Sequence, residues 1–213
     1  MEFKGIWDRL NQIALIVSRF AYLNLLWLIF SLVGLVVFGL MPATVSMFSI
    51  TRRWLLKDND VPIFTTFLQT YKKEFLKTNG LMLILLSGAT LLYINLRYAG
   101  FIRDTTIYPF FLGITFIALF LYLVLTLYLA PVYVHYHLTV KRYIAYPILF
   151  GLTNLHHTIA MLVSLSAVYY LSMQFPGIVL FFSFSVSAFI INYFANFSFS
   201  RIQMMEQKLD QSA

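Results

Sequence analysis

Five apolar stretches, each close to the roughly 20 residues that cross a ~30 Å hydrocarbon core, dominate this 213-residue chain: 21–40, 81–98, 109–130, 155–173 and 177–197. A bilayer core offers no water to backbone N–H and C=O groups, so such stretches must close their hydrogen bonds within helices. The expected fold is all-α: a polytopic integral membrane protein, residues 1–213 forming one membrane domain of about five transmembrane helices plus amphipathic interfacial helices. Composition agrees, because 61% hydrophobic and 11% charged residues fall outside the soluble range.

Between these stretches the pattern changes. Residues 2–18 carry Phe3, Ile6, Trp7, Leu10, Ile13, Ala14 and Val17 at helical spacing, which predicts an interfacial helix. The first apolar run has no small-residue cleavage site, so span one is expected to stay in the mature protein. Pro42 after Gly39 predicts a break there, with a new helix starting near the proline. Residues 42–77 read as a cytoplasmic surface helical hairpin. Its first arm ends in Arg52, Arg53 and Trp54, and Asp58-Asn59-Asp60 turns the chain, with Asp60 as N-cap. The second arm sets the stripe Phe64, Phe67, Leu68, Tyr71 and Phe75 against Lys72, Lys73, Glu74 and Lys77, and Thr78-Asn79-Gly80 closes it before span two. An unbroken helix over 110–143 would run about 50 Å, so span three is expected to kink at Pro131 or project from the bilayer. Gln174, Phe175 and Pro176 join the last two spans in a tight turn, and 198–213 form a C-terminal tail.

The formal charge of +7 could suggest nucleic acid, but six of the 15 basic residues lie between the first two spans, with no basic recognition helix; no nucleic-acid partner is expected. Charge here reads as orientation. With five spans, one side holds five basic residues and the side containing 41–80 holds ten. The positive-inside rule then predicts a multi-pass protein of the cell membrane with its N-terminus outside and C-terminus in the cytoplasm.

Candidate chemistry is sparse. The absence of Cys excludes disulfides, thiolate metal sites and thiol nucleophiles. His135, His137, His156 and His157 fall on one predicted side and invite a metal reading. On a helix, though, neighbours one or two apart diverge by about 100° or 200°, and no carboxylate between Asp104 and Glu206 could complete a site. Interfacial histidines are the expected reading, with no metal, cofactor or catalytic residue. The spans contain no Asp or Glu, which disfavours a proton-coupled transporter. Span five presents Ser185, Ala188, Asn192 and Asn196 at three- and four-residue steps, a small and polar face suited to helix packing, to a polar pathway or to a partner's span.

The series Leu23-Asn24-Leu25-Leu26-Trp27, Pro42-Ala43-Thr44, Arg52-Arg53-Trp54, Phe67 to Phe75 with Lys72-Lys73, and Asn154 with Thr158 resembles the YesL-like membrane proteins of Gram-positive bacteria, the DUF624 family. One departure is Leu40-Met41 ahead of Pro42, where the family usually has glycine. The resemblance implies a polytopic membrane protein whose genes often accompany carbohydrate ABC importers, and it supplies no biochemical activity. The expected function is a non-catalytic component that assists carbohydrate import, contacting importer subunits through the 42–77 hairpin. The alternatives are a small transporter or channel and, third, a membrane enzyme.

Overall fold

The computed structural model describes the backbone of residues 2–58 and 60–212 and the side chains of residues 7, 9–58 and 60–199. Helix α1 is Glu2–Val33, α2 Val37–Leu55, α3 Ile63–Phe101 and α4 Tyr108–His135. After these come α5 Val140–Thr153, α6 Leu155–Gln174, the single turn α7 Pro176–Ile178, a π-helical turn Val179–Ser183 and α8 Phe184–Ser212. Among the described residues, Arg9–Val33, Ile63–Phe101, Tyr108–His135 and Pro176–Phe199 are long and apolar enough to cross a bilayer. Helices α5 and α6, bent by 94° where they meet, are long and apolar enough only when taken together, as a broken span or a re-entrant loop. The chain is an all-α integral membrane protein.

Several boundaries differ from the sequence reading. Residues 2–18 are not a separate interfacial helix, because α1 runs on through span one. No glycine or proline lies between Ile6 and Val33 to interrupt its ladder. Phe3 and Ile6 of the expected stripe lie outside the described side chains.

Span one ends at Gly34, not at Pro42. A Cβ on Gly34 would stand 2.3 Å from the Cα of Gly39, so the two glycines let α1 and α2 touch backbone to backbone as the chain reverses. Pro42 sits within the second turn of α2, where its missing N–H forgoes one bond, to the Phe38 carbonyl. The reversal itself is strained: Leu35 has φ 58° and Val36 φ 63° with ψ −69°. The Val37 N–H donates to the Leu35 carbonyl at 2.8 Å, a γ-turn of the rarer hand centred on a β-branched residue. Such a conformation costs about 1–3 kcal/mol. Val36→Gly is therefore expected to stabilise the fold by about 1 kcal/mol after glycine's entropic cost, read as a higher melting temperature in detergent. A lower one would mean that the turn carries no strain.

Residues 42–77 are not a free surface hairpin. Helix α2 is the centre of the bundle, packed against α1, α3, α4 and α8. It ends with Lys57 at φ 64°, the Lys57 N–H donating to the Trp54 carbonyl and the Asp58 N–H to that of Arg53, a Schellman closure. Asn59 lies outside the described residues, and the N-cap of α3 is Pro62, not Asp60. Thr78-Asn79-Gly80 does not break the next helix: Thr78 and Asn79 bond back to the Glu74 and Phe75 carbonyls and the ladder continues. The 39 residues of α3 span about 58 Å at ~1.5 Å per residue, twice a bilayer core. Its first half packs on α2 and its second half on α4.

Helix α4 stops at His135, with Pro131 inside it, and residues 136–139 are non-helical, so span three does not run on to 143. Two apolar clusters flank α2. Leu23, Leu26 and Trp27 of α1 meet Met47, Ile50, Phe67, Tyr71 and Ala188 on one side. On the other, Met41 and Val45 meet Leu81, Val124, Tyr128, Val132, Phe150, Met161 and Phe199. In lipid, packing density and interhelical hydrogen bonds have to supply the cohesion that water-driven burial gives a soluble core.

Candidate functional site

Several polar side chains buried between the helices tie one helix to another. Asn24, with no exposed surface, donates from Nδ2 to the carbonyls of Val179 (3.2 Å) and Leu180 (2.7 Å). Its Oδ1 accepts from the N–H groups of Phe184 and Ser185, both at 3.0 Å. One amide thus bridges the π-helical turn, whose widened ring opens groups for it to reach. Asn192 donates to the Phe48 carbonyl (2.9 Å) and the Thr51 hydroxyl (2.7 Å), tying α8 to α2. Trp27 Nε1 donates to Thr44 Oγ1 at 3.0 Å, and the Tyr71 hydroxyl to the Phe30 carbonyl at 3.1 Å.

Of the small and polar face of span five, Ser185, Ala188 and Asn192 are buried in these contacts, whereas Asn196 is exposed. Asn196 edges a cavity of about 10 Å³, the size of one water, with Arg52, His135, Asn192 and Phe199. There Arg52 Nε donates to His135 Nδ1 at 3.3 Å, and burial depresses the guanidinium below its ordinary pKa. The other histidines have different surroundings. His137 is exposed, and His156 lies against His157 with centroids 4.0 Å apart and the rings tilted by 43°, His157 Nδ1 lying 3.5 Å from Ser198 Oγ. Among the described residues, no three His, Cys, Asp or Glu side chains come together as a metal site would need.

The expected partner-contact residues divide. Phe67 and Tyr71 are core residues, 0% and 7% exposed, so they cannot meet a partner. Trp54 is wedged beside Phe20 at 5.2 Å, and Arg52 and Phe75 are partly covered. Arg53, Phe64, Lys72 and Lys73 are exposed. An amphipathic stripe reveals a covered face but not its cover, and here α2 covers it rather than lipid or a partner.

One open polar cleft of about 380 Å³ lies where the last turns of α2, the first half of α3 and the α4–α5 junction converge. Val45, Ser49 and Arg53, four residues apart on α2, form one wall; Gln69, Thr70, Lys73, Glu74 and Lys77 of α3 form another. Tyr133, Val134, His137 and Tyr143 close it. The Tyr133 hydroxyl donates to Glu74 Oε2 at 2.6 Å, and Lys77 Nζ sits 5.1 Å from the ring centroids of both Tyr133 and Tyr143, within cation–π range. Those rings stack at 4.9 Å. The Tyr143 hydroxyl donates to the Tyr136 carbonyl and accepts from the Leu138 N–H, fixing the junction that brings the rings together. The sequence reading placed Lys73, Glu74 and Lys77 on one polar face but missed the two tyrosines. Their only local signal is that they flank the non-helical residues 136–139.

Comparison with known proteins matches residues 20–96, from the middle of α1 nearly to the end of α3, to the family described as "Protein of unknown function, DUF624". Three proteins of Bacillus subtilis (strain 168) are similar over most of the chain. YesV is 38% identical over 88% of this chain and 89% of its own, and YteU is 36% identical over 89% and 84%. YesL is 33% identical over 95% of this chain and 93% of its own. Each is described as an uncharacterized protein. No solved structure matches the chain significantly.

Proposed function

This chain belongs to the DUF624 family, and from that premise we propose that it is a non-catalytic membrane component that assists carbohydrate ABC import by contacting importer subunits. The observation that carries the reading is a division of labour among its polar groups. Asn24, Thr44, Thr51, Ser185 and Asn192 serve helix packing, while Arg53, Lys57 and Lys72, with the Phe64 ring, stand exposed on the last turn of α2, the turn after it and the first three turns of α3. A basic end bearing an exposed aromatic ring, on a scaffold whose interior is committed to packing, suits recognition more than chemistry. The link to sugar import rests on the family's gene company, which is associational. Positive-inside counting supports a cytoplasmic location for this end, and so does the meeting there of basic residues from α2 and α3.

Affinity purification of the intact protein from its native membrane in mild detergent tests the proposal. Importer subunits should co-purify, and Lys57→Glu with Lys72→Glu should release them. Recovery of no importer subunit, with uptake of every cognate sugar unchanged on deletion, would overturn it. The open cleft favours a second reading, a small transporter. That reading requires a polar path past Val45, Tyr133 and Tyr143, which join the apolar cluster of Leu81, Val124, Tyr128 and Met161. Solute flux into liposomes holding the purified protein alone would establish it.

A further inference from the structure

The cleft between α2, α3 and the α4–α5 junction shares Arg53 with the partner-docking surface but has a charge imbalance of its own. Three cations, Arg53 on the α2 wall and Lys73 and Lys77 on the α3 wall, share the cleft with a single carboxylate, Glu74. That carboxylate is engaged by the Tyr133 hydroxyl at 2.6 Å. Among the described residues, none of the three cations forms an ion pair. Lys77 is held over the two tyrosine rings, so its ammonium is positioned but not neutralised. Neutral donors stand among the charges: the Ser49 and Thr70 hydroxyls and the Gln69 amide.

We propose that this cleft binds a phosphate group, presented either by an anionic lipid headgroup or by a soluble phosphate compound. A guanidinium fork and two ammonium groups converging from two helices match a tetrahedral anion with several free oxygens better than they match a single planar carboxylate. The cleft's roughly 380 Å³ lies in the range of small-ligand sites and exceeds the needs of a bare ion, leaving room for the polyol or glycerol portion beside Ser49, Gln69 and Thr70. Basic pockets between helices at the membrane surface are suited to lipid phosphates. The tyrosine pair gives the cleft a rigid floor, because Tyr143 is anchored by two hydrogen bonds of its own.

The test uses the full-length protein in nanodiscs of phosphatidylcholine, with and without phosphatidylglycerol, and in phosphatidylcholine discs titrated with inorganic phosphate and glycerol 3-phosphate. Thermal stability and bound phospholipid after extraction are the readouts. A melting temperature raised by phosphatidylglycerol, with that lipid retained, identifies a headgroup. A rise on titrating the soluble phosphates into phosphatidylcholine discs identifies a soluble ligand. In either case Arg53→Gln with Lys73→Gln should weaken the response about tenfold while leaving the melting temperature in phosphatidylcholine unchanged. Lys141→Gln with Arg142→Gln, which removes the same charge from exposed positions outside the cleft, should keep the response. No response to any phosphate, or an equal loss in both double variants, would overturn the proposal, the latter because it would reveal only general attraction between a basic protein and an anionic surface.

Discussion

Asn24→Leu is expected to lower the stability of the folded protein by about 2–4 kcal/mol, although leucine keeps the same branched skeleton and suits a membrane helix better. The native side chain makes four hydrogen bonds, to two carbonyls and two N–H groups of a segment about 155 residues away. Leucine leaves those groups with only what the π-helical turn supplies, inside a body that excludes water. Each interhelical hydrogen bond is worth about 0.6–2 kcal/mol, and the orphaned groups add a desolvation cost. Asn24→Asp separates the contributions, because it keeps an acceptor for Phe184 and Ser185 but sets an anion against the carbonyls of Val179 and Leu180. It should therefore be at least as damaging as leucine. Equilibrium unfolding in mixed micelles measures both, and a wild-type midpoint for either variant would show that the clamp is dispensable.

The second large effect is expected at Gly39. A Cβ there would lie 2.4 Å from the Ser31 carbonyl oxygen and 2.8 Å from that of Phe30, both main-chain atoms that no side-chain rotation can clear. Gly39→Ala must push α1 away from α2, loosening the Trp27–Thr44 bond and the Tyr71 bond to Phe30. The expected loss is about 3 kcal/mol, at the upper end for overpacking. Gly80→Ala is the matched control: a Cβ there meets nothing within 4 Å, so ordinary helix propensity should give up to about 1 kcal/mol of stabilisation. Folded yield and melting temperature of the two variants should move in opposite directions. A Gly39→Ala protein as stable as wild type would mean that the close crossing is not needed.

The residues that carry the family likeness gain physical meaning from these contacts. Asn24 and Trp27 bond α1 to its neighbours, and Thr158 takes the Tyr128 hydroxyl at 3.0 Å while donating to the Gly151 carbonyl, next to the α5–α6 bend. The sequence displayed the helical class and the apolar spans because lipid imposes one rule, internal hydrogen bonding, on every spanning segment. It displayed the small and polar spacing of Ser185, Ala188 and Asn192 for the same reason: a helix repeats every 3.6 residues wherever it lies. The reversal at Leu35 and Val36 was hidden, since neither residue type favours positive φ and tertiary contact between Gly34 and Gly39 imposes the turn. The role of the Phe67–Tyr71 stripe was hidden because lipid and a neighbouring helix present the same apolar demand. The cleft was the least legible feature, since it joins α3 to residues some 60 positions later, Glu74 to Tyr133.

The Asn24 clamp and the Asn192 bond also set an order of events. Both connect the first two helices to the last, across separations of 141 to 161 residues. At a synthesis rate of about 5–20 residues per second, α1 and α2 wait roughly 8 to 30 s for the partner that completes them. During that interval the Phe48 carbonyl and the Asn24 amide face an unfinished groove in the membrane. The nascent protein is thus an open half-bundle whose missing wall is its own last span, and any insertase or chaperone that shields that groove is still needed after the whole lining of the basic cleft, Val45 to Tyr143, has been made.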